Sequence, residues 1–384
     1  MTQQEKIAGT VRRAGPADAE GMFQVIGQAF GRPDRPFWDC RKDLPYLFHE
    51  GRIADHFIYV AEGRVLGVVG LYPYDFSYEG VVFRTGGLGQ VGTLPECRGR
   101  GVMSSILQEV CRSIHEQGMD FAWLGGDRLR YGRYGWARGG FHMRFDFTDR
   151  YLPPPPAEGT VRPLDRERDF DLVREAASGA PSTILMPDKE LRLRLSAPGM
   201  GWVIGKSFII TDYARDDSVA LADGDPEEIA LLLAHHLAHI RKADPTRGRI
   251  SAQAGPHATA AMRAFRKYHA SSSLGPLWMF RVGRLVPLLE KMCRAAAPRI
   301  GRGTDRLEMV NSDTGEAATI VCRGGKARVL PEAGPDAPRF STTDLSDICF
   351  GPFPLDMFFP GLAKDSPIRR IFPLPAFISR FFAL

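Results

Sequence analysis

The sequence predicts an α+β fold in which two domains, each a mixed sheet flanked by helices, precede a smaller α+β domain. The element order strand, helix, strand meander, helix, strand and helix occurs twice along the chain. Four consecutive prolines at residues 153–156 form a stiff, extended segment that suits a linker. An apolar helix and three short strands follow the second unit. We therefore place the domains at residues 1–152, 153–275 and 276–384.

The first domain carries the clearest elements. Hydrophobic periodicity predicts helices at residues 17–30 and 37–49 and strands at residues 10–13, 57–61, 64–72, 81–85, 88–94, 121–124 and 141–147. The best-defined helix starts at Val102, because apolar residues recur at helical spacing as far as Ile114. Gly118 ends it. A helix start and a turn are expected at residues 127–136.

The later parts of the chain are predicted from the same periodicities. In the second domain we expect strands at residues 160–163, 203–214, 218–222 and 249–254 and helices at residues 165–177, 226–242 and 257–268. In the third we expect a helix at residues 277–292 and strands at residues 306–311, 317–322 and 327–330. The tail, residues 371–384, is unusually apolar for the end of a chain, and we expect it to be buried.

Composition and charge exclude several classes of protein. The net charge of +5 over 384 residues is mild and does not indicate a nucleic-acid-binding protein. No apolar stretch reaches the length of about 18 residues that a membrane span needs, and the first residues lack a signal-peptide core. The six cysteines show no paired or zinc-like spacing, so reduced core cysteines and a cytoplasmic location are expected, with no metal.

The strongest chemical signal is a strand, a glycine-bearing loop and an amphipathic helix at residues 90–114. Backbone N–H groups at the start of a helix lack intrahelical partners, and the helix dipole makes that end positive. Gly99 and Gly101 allow the loop to approach an anion closely, while Arg98 and Arg100 add positive charge. The arrangement favours a diphosphate. Such loops also occur without ligands, and the glycine spacing fits neither a Walker loop nor a Rossmann fingerprint.

This loop resembles motif A of the GNAT acetyltransferases, whose pattern is Gln/Arg-x-x-Gly-x-Gly/Ala. The chain has Arg98, Gly101 and Met103 at the three defined positions. The large residue at the last position is shared by the Eis (enhanced intracellular survival) branch of the N-acetyltransferases. The segment from Tyr131 to Trp136 is similar to the Tyr-Gly-Arg-Phe-Gly-Tyr segment of that branch. The length of the chain also fits that family's plan of two GNAT-like domains and a C-terminal domain resembling sterol carrier proteins.

The resemblance implies a site for acetyl-CoA in the first domain. Val91, Gly92 and Thr93 would hold the acetyl-pantetheine arm along a splayed strand edge. The loop and the first helical turn would hold the pyrophosphate through backbone N–H groups, at Gly99, Arg100, Gly101, Val102, Met103 and Ser104. Gly126 and Asp127 would lie near the thiol end of the cofactor.

Two catalytic residues also follow from the resemblance. Tyr131 matches the general acid of the family, and its hydroxyl would protonate the departing thiolate. A phenol suits this role because it is neutral at the working pH and can donate a proton. The family uses its C-terminal carboxylate as the general base, which here is the α-carboxylate of Leu384.

The second domain predicts no further cofactor or metal site. The segment at residues 223–228, Asp-Gly-Asp-Pro-Glu-Glu, places acidic groups where a pyrophosphate loop would precede the helix. These groups suit the start of a helix but repel a diphosphate, so one cofactor site per chain is expected. His235 and His239 have a spacing that can bind zinc, but the sequence shows no third ligand nearby, which favours surface or capping histidines.

We therefore expect an acetyl-CoA-dependent N-acetyltransferase that acts by direct transfer on a small-molecule or peptide amine, without nucleic-acid or membrane partners. The acceptor stays open among an aminoglycoside, a polyamine, a lysine side chain and other amines, and the family plan allows a homo-oligomer. Two alternatives are left open. One is a lipid-binding or regulatory protein that uses the C-terminal domain, and the other is an acyltransferase that uses a longer acyl-CoA.

Overall fold

The computed structural model describes residues 5–197, 199–382 and 384, and nineteen strands run through these residues. They are β1 (Thr10–Arg13), β2 (His56–Ala61), β3 (Arg64–Tyr78), β4 (Val81–Thr93), β5 (Phe121–Leu124), β6 (Ala137–Gly139), β7 (Met143–Phe147), β8 (Arg162–Pro163), β9 (Ser182–Leu185), β10 (Gly201–Ile204), β11 (Ser207–Asp212), β12 (Arg215–Asp223), β13 (Ile250–Ala254), β14 (Ser271–Leu274), β15 (Trp278–Val282), β16 (Asp305–Asn311), β17 (Ala317–Arg323), β18 (Lys326–Leu330) and β19 (Arg339–Phe340).

Ten α-helices accompany these strands in the described part of the chain. They are α1 (Ala19–Ala29), α2 (Cys40–Asp43), α3 (Val102–Glu116), α4 (Arg128–Tyr131), α5 (Phe170–Gly179), α6 (Asp188–Ser196), α7 (Pro226–Ala243), α8 (Ala260–Tyr268), α9 (Leu285–Ala296) and α10 (Thr342–Phe350). None of the helices in the described ranges is both long enough and apolar enough to cross a membrane.

The first sheet has the strand order β1-β2-β3-β4-β5-β15-β6, and β9 pairs with the far end of β3. Its neighbouring strands are antiparallel except for β4 and β5, which are parallel. Helices α1 and α3 cover the sheet with fully buried apolar residues, among them Met22, Ile26, Ile106 and Val110. The amphipathic spacing of α3 therefore produces the packing that the sequence predicts.

The second sheet has the order β14-β7-β13-β12-β11-β10-β8, with one parallel pair, β12 and β13. Helices α7 and α8 pack on it around a separate apolar core that includes Phe145, Leu233 and Phe265. Strands cross the boundaries expected at residues 152 and 275: β7 lies in the second sheet, whereas β9 and β15 lie in the first. The two units are therefore interleaved.

The C-terminal part contains a third sheet of four strands, ordered β18-β17-β16-β19. The long tail after α10 packs back on both other sheets. Phe141 donates its backbone N–H to the carbonyl of Ala376 over 2.9 Å, and Phe377 donates to the hydroxyl of Ser182 over 3.0 Å. The expected burial of the tail is confirmed at Phe372, Ile378 and most other apolar positions of the described residues. The likeness of this unit to a sterol carrier protein stays a prediction.

Four sequence predictions of secondary structure are wrong. The single strand predicted at residues 203–214 is the antiparallel pair β10 and β11. The helix predicted at residues 277–292 is strand β15 followed by α9, because a short apolar run reads alike as a buried strand or a buried helix. The helix predicted at residues 37–49 contains only α2 and a 3-10 turn, because Pro45 cannot continue a helix. The strands predicted at residues 81–85 and 88–94 form the single strand β4, since its internal glycines interrupt the apolar pattern without breaking the strand.

Candidate active site

A cleft opens in the first sheet where its two parallel strands separate. β4 and β5 pair from Thr85 opposite Phe121 to Leu88 opposite Leu124. Beyond that point β5 ends, whereas β4 continues to Thr93 beside β3. Among the described strands, none pairs with residues 89–93 on the side of β5. An unpaired strand edge offers backbone donors and acceptors to an extended ligand.

A β-bulge shapes this edge. In the pairing of β3 with β4, Val68 lies opposite Gly92 and Gly70 opposite Gly89, so Gln90 and Val91 together face Val69. Gln90 has a φ of 55°, which is uncommon for a residue with a side chain. Bulges of this kind bend the strand locally and are often found beside functional sites.

The three residues predicted to hold the pantetheine arm have different surroundings. Val91 lines the cleft. Gly92 faces α1, since a Cβ there would lie 2.9 Å from the Cβ of Ala29. The hydroxyl of Thr93 is buried, and no described residue is its hydrogen-bond partner. Side-chain contact with the cleft is therefore limited to Val91, while the backbone of the other two belongs to the strand edge.

The predicted pyrophosphate loop joins β4 to the start of α3. Gly99 and Gly101 have φ values of 76° and 85°, in the left-handed region that favours glycine. No described group accepts a hydrogen bond from the backbone N–H groups of residues 99–104, and Ser105 is the first to donate within the chain, to the carbonyl of Gly101 over 3.1 Å. Free N–H groups at the positive end of a 15-residue helix form a cradle that fits a diphosphate.

The two arginines of this loop are placed differently. Arg100 donates from Nε to the backbone carbonyl of Glu5 over 3.2 Å, and its own carbonyl accepts from Ile7 over 3.3 Å. The N-terminal segment therefore holds this side of the loop. Arg98 is exposed, with no described hydrogen-bond partner for its side chain. From the opposite side, Arg133 donates to the hydroxyl of Ser104 over 3.4 Å.

Tyr131 closes the cleft at the end of β5. Asp127 immediately precedes the short helix α4, and its carboxylate accepts from the N–H of Leu129 over 2.7 Å and so caps the helix. Gly126 allows close packing, because a Cβ there would lie 2.5 Å from Cε2 of Tyr131. The tyrosine is 5% exposed, and burial raises the pKa of Tyr131 although the neighbouring Arg130 opposes the shift. The phenol therefore stays protonated and can donate.

The tail places Leu384 in the same cleft. Hydrogen bonds link the tail to β9 of the first sheet, to β12 and β11 of the second sheet and to α6. They join Phe377 with Ser182, Ser379 with Ala220, Arg380 with Asp212, and Phe381 with Arg194. Leu384 then lies along β4, because a Cβ on Gly89 would lie 3.2 Å from the backbone carbonyl carbon of Leu384. The tail is thus held by both sheets, and Leu384 lies in the candidate cleft of the first.

The cleft encloses about 200 Å³ and brings most of the predicted residues around the thiol end together. Val91, Gly126, Asp127, Tyr131 and Leu384 line it, together with residues that sequence reasoning missed: Phe30, Trp123, Arg130 and Trp278. The residues predicted around the pyrophosphate lie outside it, at the start of α3. The sequence did indicate part of the cleft wall. The run Gly86-Gly87-Leu88-Gly89 in a strand indicates that another group approaches β4 closely.

A second depression of about 380 Å³ adjoins the cleft and shares Phe30 with it. Its rim is charged and includes Arg32, Asp34, Arg35 and Asp43. Asp43 accepts from the indole N–H of Trp38 over 2.5 Å. The side chain of Asp34 has no described partner, which leaves its carboxylate available to a cationic group.

The corresponding place in the second unit is built differently. Asp225 accepts from the N–H groups of Glu227 and Glu228 over 2.9 and 3.2 Å, and so occupies the start of α7 with its own carboxylate. His235 and His239 pack edge-on against Trp202, with ring centroids 4.7 and 4.9 Å away. In the described ranges, no group of three or more His, Cys, Asp or Glu side chains is arranged to hold a metal ion.

Comparison with protein families identifies the first unit. Residues 10–139 match the model of the acetyltransferase (GNAT) domain. The match spans β1 to β6 and contains the splayed strands, the glycine loop and Tyr131. The chain therefore contains a GNAT acetyltransferase domain and is a transferase. No curated protein matches the sequence significantly.

Solved structures resemble the whole chain. A conserved protein of Enterococcus faecalis described as a probable N-acyltransferase superposes with a TM-score of 0.68 at 17% identity, over 97% of this chain and 98% of that chain. A GCN5-related N-acetyltransferase of Anabaena variabilis has a TM-score of 0.67 at 13% identity, over 97% and 99%. Eis1 of Mycobacterium abscessus has a TM-score of 0.62 at 15% identity, over 97% and 99%. At these identities the shared property is the fold.

Proposed function

We propose that this chain, whose first unit is a GNAT acetyltransferase domain, transfers an acetyl group from acetyl-CoA to an amine acceptor. The observation that carries the proposal is the cleft in which the buried phenol of Tyr131 and the terminal residue Leu384 face one space between splayed strands. A proton donor and a carboxylate across one cleft are the two groups that direct amine acylation needs. The free N–H groups at the start of α3 supply a site for the diphosphate of the cofactor.

In the proposed reaction the acceptor nitrogen attacks the thioester carbonyl carbon, so that a C–N bond forms and the C–S bond breaks. The carboxylate of Leu384 takes the proton that the amine loses. The hydroxyl of Tyr131 donates its proton to the departing sulfur, which leaves as a thiol. The raised pKa of Tyr131 suits this step, because the donor remains neutral at working pH. Holding the amine beside the thioester supplies much of the acceleration.

The acceptor is proposed to enter through the charged depression beside Phe30. The charges on its rim balance, and Asp43 is paired with Arg35 over 3.4 Å. The carboxylate of Asp34, which has no described partner, is the group proposed to pair with a cationic amine. We propose acetyl-CoA as the acyl donor because the cleft of about 200 Å³ is small, and Leu384 occupies part of the space that a long acyl chain would need.

The acidic start of α7 supports a single cofactor site, in the first unit. Its carboxylates and its capped N–H groups leave no free cradle for a diphosphate. We propose that the second unit helps to position Leu384, because Ser379 and Arg380 of the tail are hydrogen-bonded to its sheet.

The proposal is tested by thiol release from acetyl-CoA with a panel of amines that includes an aminoglycoside, a polyamine and a lysine peptide. Mass spectrometry of the acceptor checks that the acetyl group reaches nitrogen. Octanoyl-CoA is the matched donor, because it differs in acyl length alone. We expect turnover with acetyl-CoA and at least one amine. Absence of acetyl-CoA binding by calorimetry, or faster turnover with octanoyl-CoA, would contradict the proposal.

A further inference from the structure

Two glycines of β4 make room for the side chain of Leu384. A Cβ on Gly87 would lie 2.0 Å from Cδ1 of Leu384, and a Cβ on Gly89 would lie 3.0 Å from its Cβ. Both glycines have φ values that other residues adopt, so the backbone does not require glycine at either position. The absence of a side chain matters here for space, and the leucine fills that space.

Aromatic rings line the rest of the space that the Leu384 side chain fills. A Cβ on Gly87 would also lie 2.9 Å from Cζ2 of Trp123, which places that indole beside the leucine. Trp278 packs edge-on against Trp123, with ring centroids 5.2 Å apart. The indole N–H of Trp278 donates to the carbonyl of Ile378 over 2.7 Å, so the wall is joined to the tail itself. We refer to Gly87, Gly89 and Trp123 as the leucine seat.

We infer that the leucine seat positions the terminal carboxylate for proton transfer, with Gly87 and Gly89 as positioning residues. This inference rests on the proposed function, because it assigns the carboxylate of Leu384 the role of base. The position of a carboxylate on the last residue of a chain is set by the Cα that carries it. Packing the side chain of Leu384 into a slot in the central strand fixes that Cα, and displacement of a reacting group by about 1 Å can cost about 100-fold in rate.

The test is a substitution pair with compensating size. Gly87→Ala places a methyl group in the seat and displaces the leucine side chain. Leu384→Ala then removes the carbon atoms that the methyl group meets, while the terminal carboxylate is retained. The matched control is Gly86→Ala, since a Cβ at Gly86 points to the other face, 2.6 Å from Sδ of Met119, and does not meet the tail. All variants are full-length chains.

We expect Gly87→Ala to lower kcat by about 10- to 100-fold with the affinity for acetyl-CoA changed by less than about threefold. Adding Leu384→Ala to Gly87→Ala should restore kcat by at least about fivefold, whereas Leu384→Ala alone should lower it, because an empty seat leaves the terminus loose. The control Gly86→Ala should lower the thermal midpoint but leave the kcat of the folded enzyme within about twofold. Additive losses in the double variant would overturn the inference.

A measurement that does not depend on turnover tests the leucine seat separately from the proposed function. Carboxypeptidase releases free leucine from an exposed chain end, so seated Leu384 should be released slowly from the folded protein. Gly87→Ala should speed this release at least about tenfold, and Gly86→Ala should not. Unchanged leucine release in Gly87→Ala would contradict the seat even if the enzyme is active. Faster release with an unchanged kcat would show that the leucine is seated but that its position does not govern proton transfer.

Discussion

Arg194 of α6 binds the tail three residues before Leu384, since its Nε donates a hydrogen bond to the backbone carbonyl of Phe381 over 2.7 Å. The guanidinium also lies 4.7 Å from the centroid of the Phe381 ring. Arg194 is 3% exposed, and its Nη2 has no described hydrogen-bond partner. A buried cationic nitrogen without a partner costs stability, so this contact is maintained at some expense to the fold.

Replacement of this arginine separates stability from activity. Arg194→Met removes the bond to the tail but also removes the buried charge, so we expect the thermal midpoint to change by only about 3 °C. A hydrogen bond from a charged group stabilises the contact that it makes by about 1.5–3 kcal/mol. Because its loss should loosen the tail that carries Leu384, we expect kcat to fall about tenfold. Thermal melts and kinetics with saturating acetyl-CoA measure both effects. Arg192→Met, on the exposed face of the same helix, is the control, and equal losses of kcat in both variants would contradict the assignment.

The pH dependence of turnover should report the buried phenol. Because burial raises the pKa of Tyr131, the protonated form persists above the ordinary tyrosine value of about 10. The rate should therefore fall only above that pH, as the hydroxyl loses the proton that it donates. Arg130 lowers this pKa, so Arg130→Gln should move the alkaline limb of the profile of kcat against pH to higher pH. Arg128→Gln, two residues earlier in the same helix, is the control, and an identical shift in both variants would argue against a specific contact.

The glycine loop makes a prediction about cofactor binding. Gly101 begins α3 and Gly118 follows its end, with φ values of 85° and 64°. Replacement by alanine should cost each about 1–2 kcal/mol of stability, because both lie in the left-handed region. Only Gly101→Ala should raise the Kd for acetyl-CoA, by about tenfold, since strain there moves the N–H groups of the cradle. Calorimetry measures the Kd of both variants, and equal affinities would show that the start of α3 does not bind the diphosphate.

The stoichiometry of cofactor binding tests the single site. We expect one acetyl-CoA per chain, because Asp225 and the two glutamates after it occupy the start of α7. Titration calorimetry with a concentration-checked protein gives this ratio directly. A ratio near two would show that the second unit also binds the cofactor. Asp225→Ser retains a cap for α7, and it should leave the ratio unchanged.

The sequence predicted the parts of the site that lie in one continuous segment. The loop at Gly99 and Gly101 and the helix after it follow from local spacing, which does not depend on distant packing. Tyr131 was singled out by its resemblance to a family motif, which is also a continuous segment. The strand β5 was also readable, as a short apolar run between polar residues.

The features of the site that depend on pairing between distant strands could not be predicted from the sequence. Trp278 was predicted to lie in a helix, but it lies in β15, which pairs with β5 of the first sheet although the two strands are far apart in the sequence. Local periodicity does not reveal which sheet a strand joins, and the same reason explains why β7 was expected in the first domain. Strand β9, which pairs with β3, was not predicted at all. The seat of Leu384 requires three segments to meet. The glycines of β4 indicate that some group approaches the strand closely, but no pattern in the sequence shows that this group is Leu384.

The central claim, that Tyr131 and the carboxylate of Leu384 perform proton transfer in acetyl transfer to an amine, is tested most directly by thiol release in three proteins. These are the wild type, Tyr131→Phe and a chain extended by two glycines after Leu384, which keeps every residue but moves the carboxylate. We expect both variants to bind acetyl-CoA within about threefold of the wild type and to lose about 100- to 10,000-fold in kcat. Two variants that turn over at the rate of the wild type would contradict it.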